Sequence, residues 1–213
     1  SDLVGTGLDV GLIPRLIRDS RFGVELFFII SGFILGLPFA DYFLAGARRV
    51  RLPSYFLRRV TRLEPPYILS LLLCTSALIV FEKHHIAELF PHLLASSLYL
   101  HNVIYNQFSI INPVAWSLEI EVQFYCLVPL LAYVFCISSR ARRRAAIIAI
   151  GVAALALKYI IERRHPLPPT ILFYLQYFMM GFLVADVFIV DWQQQPATSL
   201  RWDLIALPGW LLL

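Results

Sequence analysis

Carboxylates set inside apolar sequence are the first residues in this chain with types and positions suited to chemistry. Four acids, Glu25, Glu119, Glu121 and Asp186, fall within long apolar runs. A charge at mid-helix in a bilayer costs roughly 2.5–3.5 kcal/mol on insertion scales, so each acid calls for a partner or a function. Depth separates them. Glu25 and Asp186 lie about 5–6 Å from the ends of their runs, close enough to snorkel to the interface, whereas Glu121 is about 12 Å past Pro113. Ser117, Glu121 and Tyr125 follow at i, i+4 and i+8 and form one polar stripe on a helix, while Glu119 and Gln123 form another. A carboxylate so placed suits an outward-facing, water-filled pocket in which it orients a hydroxyl or accepts its proton. The alternative is a packing network in which Ser and Gln hydrogen-bond neighbouring helices, at about 0.6 kcal/mol per bond.

The second constellation is basic. In Phe56-Leu57-Arg58-Arg59-Val60-Thr61-Arg62-Leu63-Glu64-Pro65-Pro66-Tyr67, Arg58 and Arg62 are spaced i, i+4 and Arg59 and Arg62 i, i+3. Three guanidiniums on one helix face can grip a phosphorylated ligand bidentately. Ordinary positive-inside charge in contact with anionic lipid is the competing explanation.

Both constellations must be positioned by membrane-spanning helices. The 213 residues are 59% hydrophobic and 15% charged, with mean hydropathy +0.73, which excludes a water-soluble globule and a disordered chain. The fold class is an all-α, polytopic transmembrane helix bundle. Five stretches approach the roughly 20 apolar residues a span requires: Phe22 to Ala40, Tyr67 to Phe81 with its flanks, Pro113 to Ser138, Ala145 to Ile161, and Thr170 to Val190. A sixth opens at Asp203 and stops at Leu213; the start at Ser1, without a leader, and this stop make both ends read as cut. Between the second and third spans, Ala87 to Leu100 is amphipathic and too short to cross, as an interfacial helix would be. Asn112-Pro113 reads as the N-cap and first position of the third helix.

Orientation follows from the basic residues. Arg48, Arg49, Arg51, Arg58, Arg59, Arg62, Arg140, Arg142, Arg143, Arg144 and Arg201 fall on one side, against Arg15, Arg18, Arg21, Lys83, Arg163 and Arg164 on the other. The richer side is expected to be cytoplasmic. Basic residues clustered in this way between apolar runs reflect loop asymmetry, so no nucleic-acid partner is expected; the bilayer is the expected partner. All five histidines, His84, His85, His92, His101 and His165, then face outward and are expected to be solvated loop residues. Cys74, Cys126 and Cys136 lack zinc or disulfide spacing, and no metal site is expected.

Three segments together resemble a known family. Gly23-Val24-Glu25-Leu26-Phe27-Phe28-Ile29-Ile30-Ser31-Gly32-Phe33 is similar to the G-V-[DE]-L-F-F-x-x-S-G-F segment of the acyltransferase 3 family, integral-membrane O-acyltransferases acting on extracytoplasmic carbohydrates. Phe56 to Tyr67 is similar to that family's F-x-R-R-x-x-R-[IL]-x-P-x-Y, and Trp116 to Tyr125 to its W-S-L-x-x-E-x-Q-F-Y. The segments occur in the family's order. The pattern departs at Val122, where many members carry a second acid, and at Glu64, where an aromatic is common.

The resemblance implies a domain of about ten helices, of which residues 1–213 hold roughly half. It implies a donor, acyl-CoA, with acetyl-CoA the expected form, gripped at Arg59 and Arg62 with Arg58 beside them. It further implies a carbohydrate or glycolipid acceptor of a cell envelope or exported polysaccharide, and a bacterial inner membrane. Glu121, supported by Ser117 and Tyr125, corresponds to the acid of the third motif. The family's catalytic histidine belongs to a first helix that is expected upstream of Ser1, so the chain alone is expected to be inactive. A permease or lipid-linked sugar flippase is the rival: intramembrane acids would then couple ions or line a path. It would call for Gly/Pro-broken helices in paired halves, and Pro129 is the only proline well inside a span.

Overall fold

The computed structural model describes residues 12–163 and 170–192, with side chains from Gly23 onward. Its elements are α1 (Leu12–Ala45), α2 (Leu52–Phe81), α3 (Ile86–Ser97), α4 (His101–Tyr105), α5 (Trp116–Leu131), α6 (Arg140–Glu162) and α7 (Ile171–Val187). A 3-10 turn, Pro113–Ala115, opens α5; another, Ala132–Cys136, follows it; and Phe188–Trp192 closes α7 as a π-turn. Among the described residues, five helical stretches are long and apolar enough to cross a membrane: Gly23–Ala45, Leu52–Phe81, Pro113–Cys136, Arg140–Glu162 and Ile171–Trp192. The described residues form an all-helical, membrane-spanning bundle. The sixth span expected from Asp203, like His165, lies outside them.

Two boundaries differ from the sequence expectation. The second span starts at Leu52, not near Tyr67, so the arginine motif is carried on the spanning helix itself. Pro65 and Pro66 lie inside that helix; each removes an N–H, a loss that membrane helices tolerate more readily than soluble ones. The basic segment Arg140–Arg144 likewise belongs to the first turns of α6 and not to a loop. Asn112 precedes the turn that opens α5 but makes no side-chain cap bond.

Helix contact, and not water exclusion, holds such a bundle together, and small residues set how closely backbones approach. Gly32 of α1 and Gly181 of α7 face each other: a Cβ on Gly32 would strike the Phe178 carbonyl, and one on Gly181 would strike Ile29 O and, at 2.5 Å, Phe33 N. Around that crossing runs an aromatic core. Phe124 stacks on Phe178 at 3.9 Å between centroids, Phe28 meets Phe178 at 4.8 Å, and Phe135 stacks on Phe182 at 5.3 Å. Helix α2 buries only Tyr55, Tyr67, Leu71 and Thr75. It packs on α3 and touches α5 through the Tyr55 hydroxyl and the Tyr67–Leu71 cluster, leaving a groove between its N-terminal half, α1 and α5.

Candidate active site

The groove is where the separated motifs meet. It has a volume of about 340 Å³, and its polar lining is Ser31 from α1, Arg59 and Arg62 from α2, and Glu121 and Tyr125 from α5. Phe27, Ile30, Ile34, Leu35, Leu63 and Leu118 supply the apolar remainder. Glu121 is 7% exposed, and its Oε1 accepts the Ser31 hydroxyl at 3.0 Å. The Tyr125 phenol, one turn further along α5, pairs with the same carboxylate. Opposite them the Arg59 guanidinium sits 5.9 Å from the ring centroids of both Tyr55 and Tyr125. Cation–π contact of this kind holds a guanidinium without neutralising it. Tyr55 is fixed in turn by donating to the Tyr125 carbonyl at 3.4 Å. Neither Arg59 nor Arg62 closes to an ion pair with a described carboxylate. Basic and acidic side chains therefore line one cavity without closing to an ion pair, an arrangement that leaves the guanidiniums without a counter-ion among the described residues.

Depth makes the meeting possible. At 1.5 Å per residue Arg59 and Arg62 lie about 10 and 15 Å from the Leu52 end of α2, and Glu121 about 12 Å from the Pro113 end, within a hydrocarbon core of about 30 Å. Each set enters from the opposite end, and the two overlap near mid-bundle.

The sequence-derived residues divide accordingly. Arg59, Arg62, Glu121 and Tyr125 come together. Ser117 is half-buried, one turn outward of Glu121, and is not among the groove-lining residues; the hydroxyl that reaches Glu121 is Ser31's. Arg58 is not among the groove-lining residues: it lines another cavity, with Arg48, Arg49 and Arg51, because it points about 100° away from Arg59 and lies about 6 Å nearer the Leu52 end of the helix than Arg62. Ser31 was legible only as a motif member, and Tyr55, just before the second motif, not at all, since nothing in their spacing links them to Glu121.

Three other acids have structural partners. Glu119, expected on the second polar stripe with Gln123, is 1% exposed. Its Oε2 accepts the Asn102 backbone N–H at 3.0 Å, with His101 N–H also directed at the carboxylate. It anchors α4 on α5, and Gln123 on the same stripe caps α7 by accepting Ile171 N–H at 3.1 Å. Asp186 does not snorkel: it is fully buried, paired with Arg143, which is itself 3% exposed, and with Arg144 at 2.6 Å. Arg144 also reaches Asp191 at 2.7 Å, and Arg140 pairs with that same residue. Glu25 accepts the Tyr177 hydroxyl at 2.7 Å.

Nor are the histidines all solvated. His101 is fully buried, with its Nε2 2.8 Å from His92 Nδ1 and its Nδ1 3.3 Å from the Gln107 carbonyl. The carbonyl can only accept, so His101 Nδ1 carries a proton, and His92 donates to His101 Nε2. Burial, the larger cause, and the neighbouring His92 hold His101 below the usual histidine value. Among the described residues no group of three or more His, Cys, Asp or Glu assembles that could hold a metal ion.

Residues 4–213 match the family profile described as an acyltransferase domain, acyltransferase 3. The chain belongs to that family. A provisionally named O-acetyltransferase of Staphylococcus aureus strain COL is 30% identical over 146 residues, covering 63% of this chain and 24% of the relative. The O-acetyltransferase OatA of S. aureus strain NCTC 8325 is 31% identical over 120 residues, covering 51% and 19%. The match thus spans about a quarter or less of these relatives' length. No solved structure matches the chain at a significant level. Within the family domain, the groove is the place where all three motif segments contribute side chains to one cavity.

Proposed function

We propose that this domain serves an integral-membrane O-acyltransferase. The enzyme moves an acyl group, preferentially acetyl, from acyl-CoA on the cytoplasmic side to a sugar hydroxyl of an envelope or exported polysaccharide or glycolipid, in a bacterial inner membrane. One observation carries the reading: the groove joins Arg59 and Arg62, which approach from the basic end, to Glu121, which approaches from the other. Family membership favours transfer over the permease alternative.

In the transfer, the acceptor oxygen adds to the thioester carbonyl carbon. A C–O bond forms, the C–S bond breaks, and the proton lost by the hydroxyl leaves on the thiol. Glu121 orients that hydroxyl and accepts its proton, alone or with the histidine that the family resemblance expects upstream. Ser31 and Tyr125 fix the carboxylate's direction. Arg59, held between two tyrosine faces, and Arg62 place fixed positive charge where the carbonyl oxygen becomes negative. The apolar lining excludes water, which would otherwise compete as acceptor.

The test is substitution that keeps charge but removes the planar fork. In the complete enzyme, Arg59→Lys or Arg62→Lys should lower transfer at limiting donor by tenfold or more, since an ammonium cannot reproduce the guanidinium's donor geometry. Full activity in both variants at limiting donor would leave the arginines as topology determinants only.

A further inference from the structure

The basic end of the bundle holds a second cavity that the groove chemistry does not use. Its volume is about 540 Å³, and it is lined by Arg48, Arg49, Arg51 and Arg58 together with Ser54 and the single carboxylate Asp41. None of these four guanidiniums forms an ion pair among the described residues, in contrast to Arg140, Arg143 and Arg144 at the same end. A short connection brings them together: Gly46 adopts φ +71°, a left-handed turn that glycine accommodates freely, and Ala47 N–H bonds back to Asp41 O at 3.2 Å. The reversed chain lays Arg48, Arg49 and Arg51 against the start of α2. That start adds its own positive end, since Arg51 makes no side-chain cap and the Leu52 and Ser54 N–H groups precede the first intrahelical donor, Tyr55 N.

Positive-inside charge needs only that basic residues be present. It does not require four of them to line one concavity, unpaired, at a helix N-terminus. Nor does it account for what adjoins them. Arg49 and Val50 also line a neighbouring cavity of about 550 Å³, whose other walls include Tyr42, Phe43, Pro129 and Tyr133. A cationic compartment and an aromatic compartment therefore share Arg49 as a common wall. Both volumes fall within the range of small-molecule sites, about 300–1,000 Å³.

We propose that this double cavity binds the nucleotide portion of a phosphorylated ligand: phosphates among Arg48, Arg49, Arg51 and Arg58, and the base against Tyr42 and Tyr133. Guanidiniums match phosphate oxygens bidentately, and aromatic rings stack on a base whatever its identity. That the ligand is the coenzyme A moiety of the donor rests on the function proposed above. With the nucleotide held here, the donor's long arm would run along α2 toward Arg59, Arg62 and Glu121. Phosphate recognition would then fall to Arg58 and the 46–51 connection, and the groove arginines would be left for the thioester. An anionic lipid headgroup offers the same phosphate chemistry, so the experiment separates the two sources.

The complete enzyme is placed in nanodiscs of phosphatidylcholine alone, and binding of adenosine 3′,5′-bisphosphate, which carries no acyl group, is measured by equilibrium dialysis. Saturable binding is expected. Arg48→Gln and Arg51→Gln should each weaken it by about tenfold or more, as loss of a charge-assisted contact predicts. Tyr42→Ala should weaken binding of the nucleotide but leave that of inorganic pyrophosphate unchanged. The arginines are exposed and unpaired, so either variant tests the cavity if the other fails to express. No saturable nucleotide binding, or binding indifferent to both arginine variants, would overturn the proposal. So would selective binding of phosphatidylglycerol in parallel nanodiscs that contain it, with no nucleotide binding in phosphatidylcholine, which would assign the cavity to lipid. Glu121→Gln should leave nucleotide binding intact. Binding that persists while Arg59→Lys and Glu121→Gln leave acyl transfer untouched would refute the acyltransferase mechanism and not this site.

Discussion

Replacing Glu121 by glutamine separates chemistry from packing, because the structure predicts opposite sizes for the two effects. Glutamine keeps the side chain's volume and still offers Ser31 a carbonyl oxygen at the 3.0 Å position. The fold then loses only the difference between a charge-assisted and a neutral hydrogen bond, about 1 kcal/mol. Catalysis loses a group that must take a proton, typically worth 10²–10⁴ in rate, or about 2.7–5.4 kcal/mol of barrier. The assay is incorporation of labelled acetyl groups into the envelope of cells expressing the complete enzyme, set beside the thermal midpoint of the purified protein. A fall of at least a hundredfold in turnover with a nearly unchanged midpoint is expected. Glu119→Gln supplies the contrast. Its carboxylate is buried against the backbone of α4 and lies outside the groove, so its loss should move the midpoint and not the chemistry. A Glu121→Gln enzyme within twofold of the parent rate, or one whose lost activity matches its lost folded protein, would refute the reasoning and leave the pair with Ser31 as a packing feature.

Two further expectations come from the buried charges. Asp186→Asn leaves Arg143 buried without its counter-charge, a change that typically costs about 3–5 kcal/mol; the folded yield and thermal midpoint should drop sharply, and a wild-type midpoint would show that the cluster is solvated. His101 titrates below the usual histidine value of 6.5 because burial disfavours its charged form. The unfolded chain then binds more protons than the native one as pH falls through that value, so stability is complete above it and declines below. The midpoint should accordingly fall between pH 7 and pH 5, and His101→Phe, which keeps the ring stack on Tyr105 but cannot titrate, should flatten that dependence.

The class of the fold was legible without coordinates because the bilayer imposes it. Runs of about 20 apolar residues must satisfy their backbone internally, and helices do so from local sequence alone. The arginine and Glu121 motifs were legible too, as polar residues whose presence in such runs costs free energy. Local periodicity could not say which faces meet. It set Arg58 beside Arg59 and Arg62, yet the groove takes the latter two and turns Arg58 toward Arg48, Arg49 and Arg51. It gave Ser117 to Glu121, whereas the partner is Ser31, ninety residues away in sequence. It assigned Asp186 to the interface and His101 to solvent, and both are fully buried beside partners from other segments. Each of these outcomes depends on how helices rotate and how deeply they approach. That is fixed by contacts such as Gly32 against Phe178 and Gly181 against Ile29, which bring distant parts of the chain together and leave no trace in the sequence around the acids themselves.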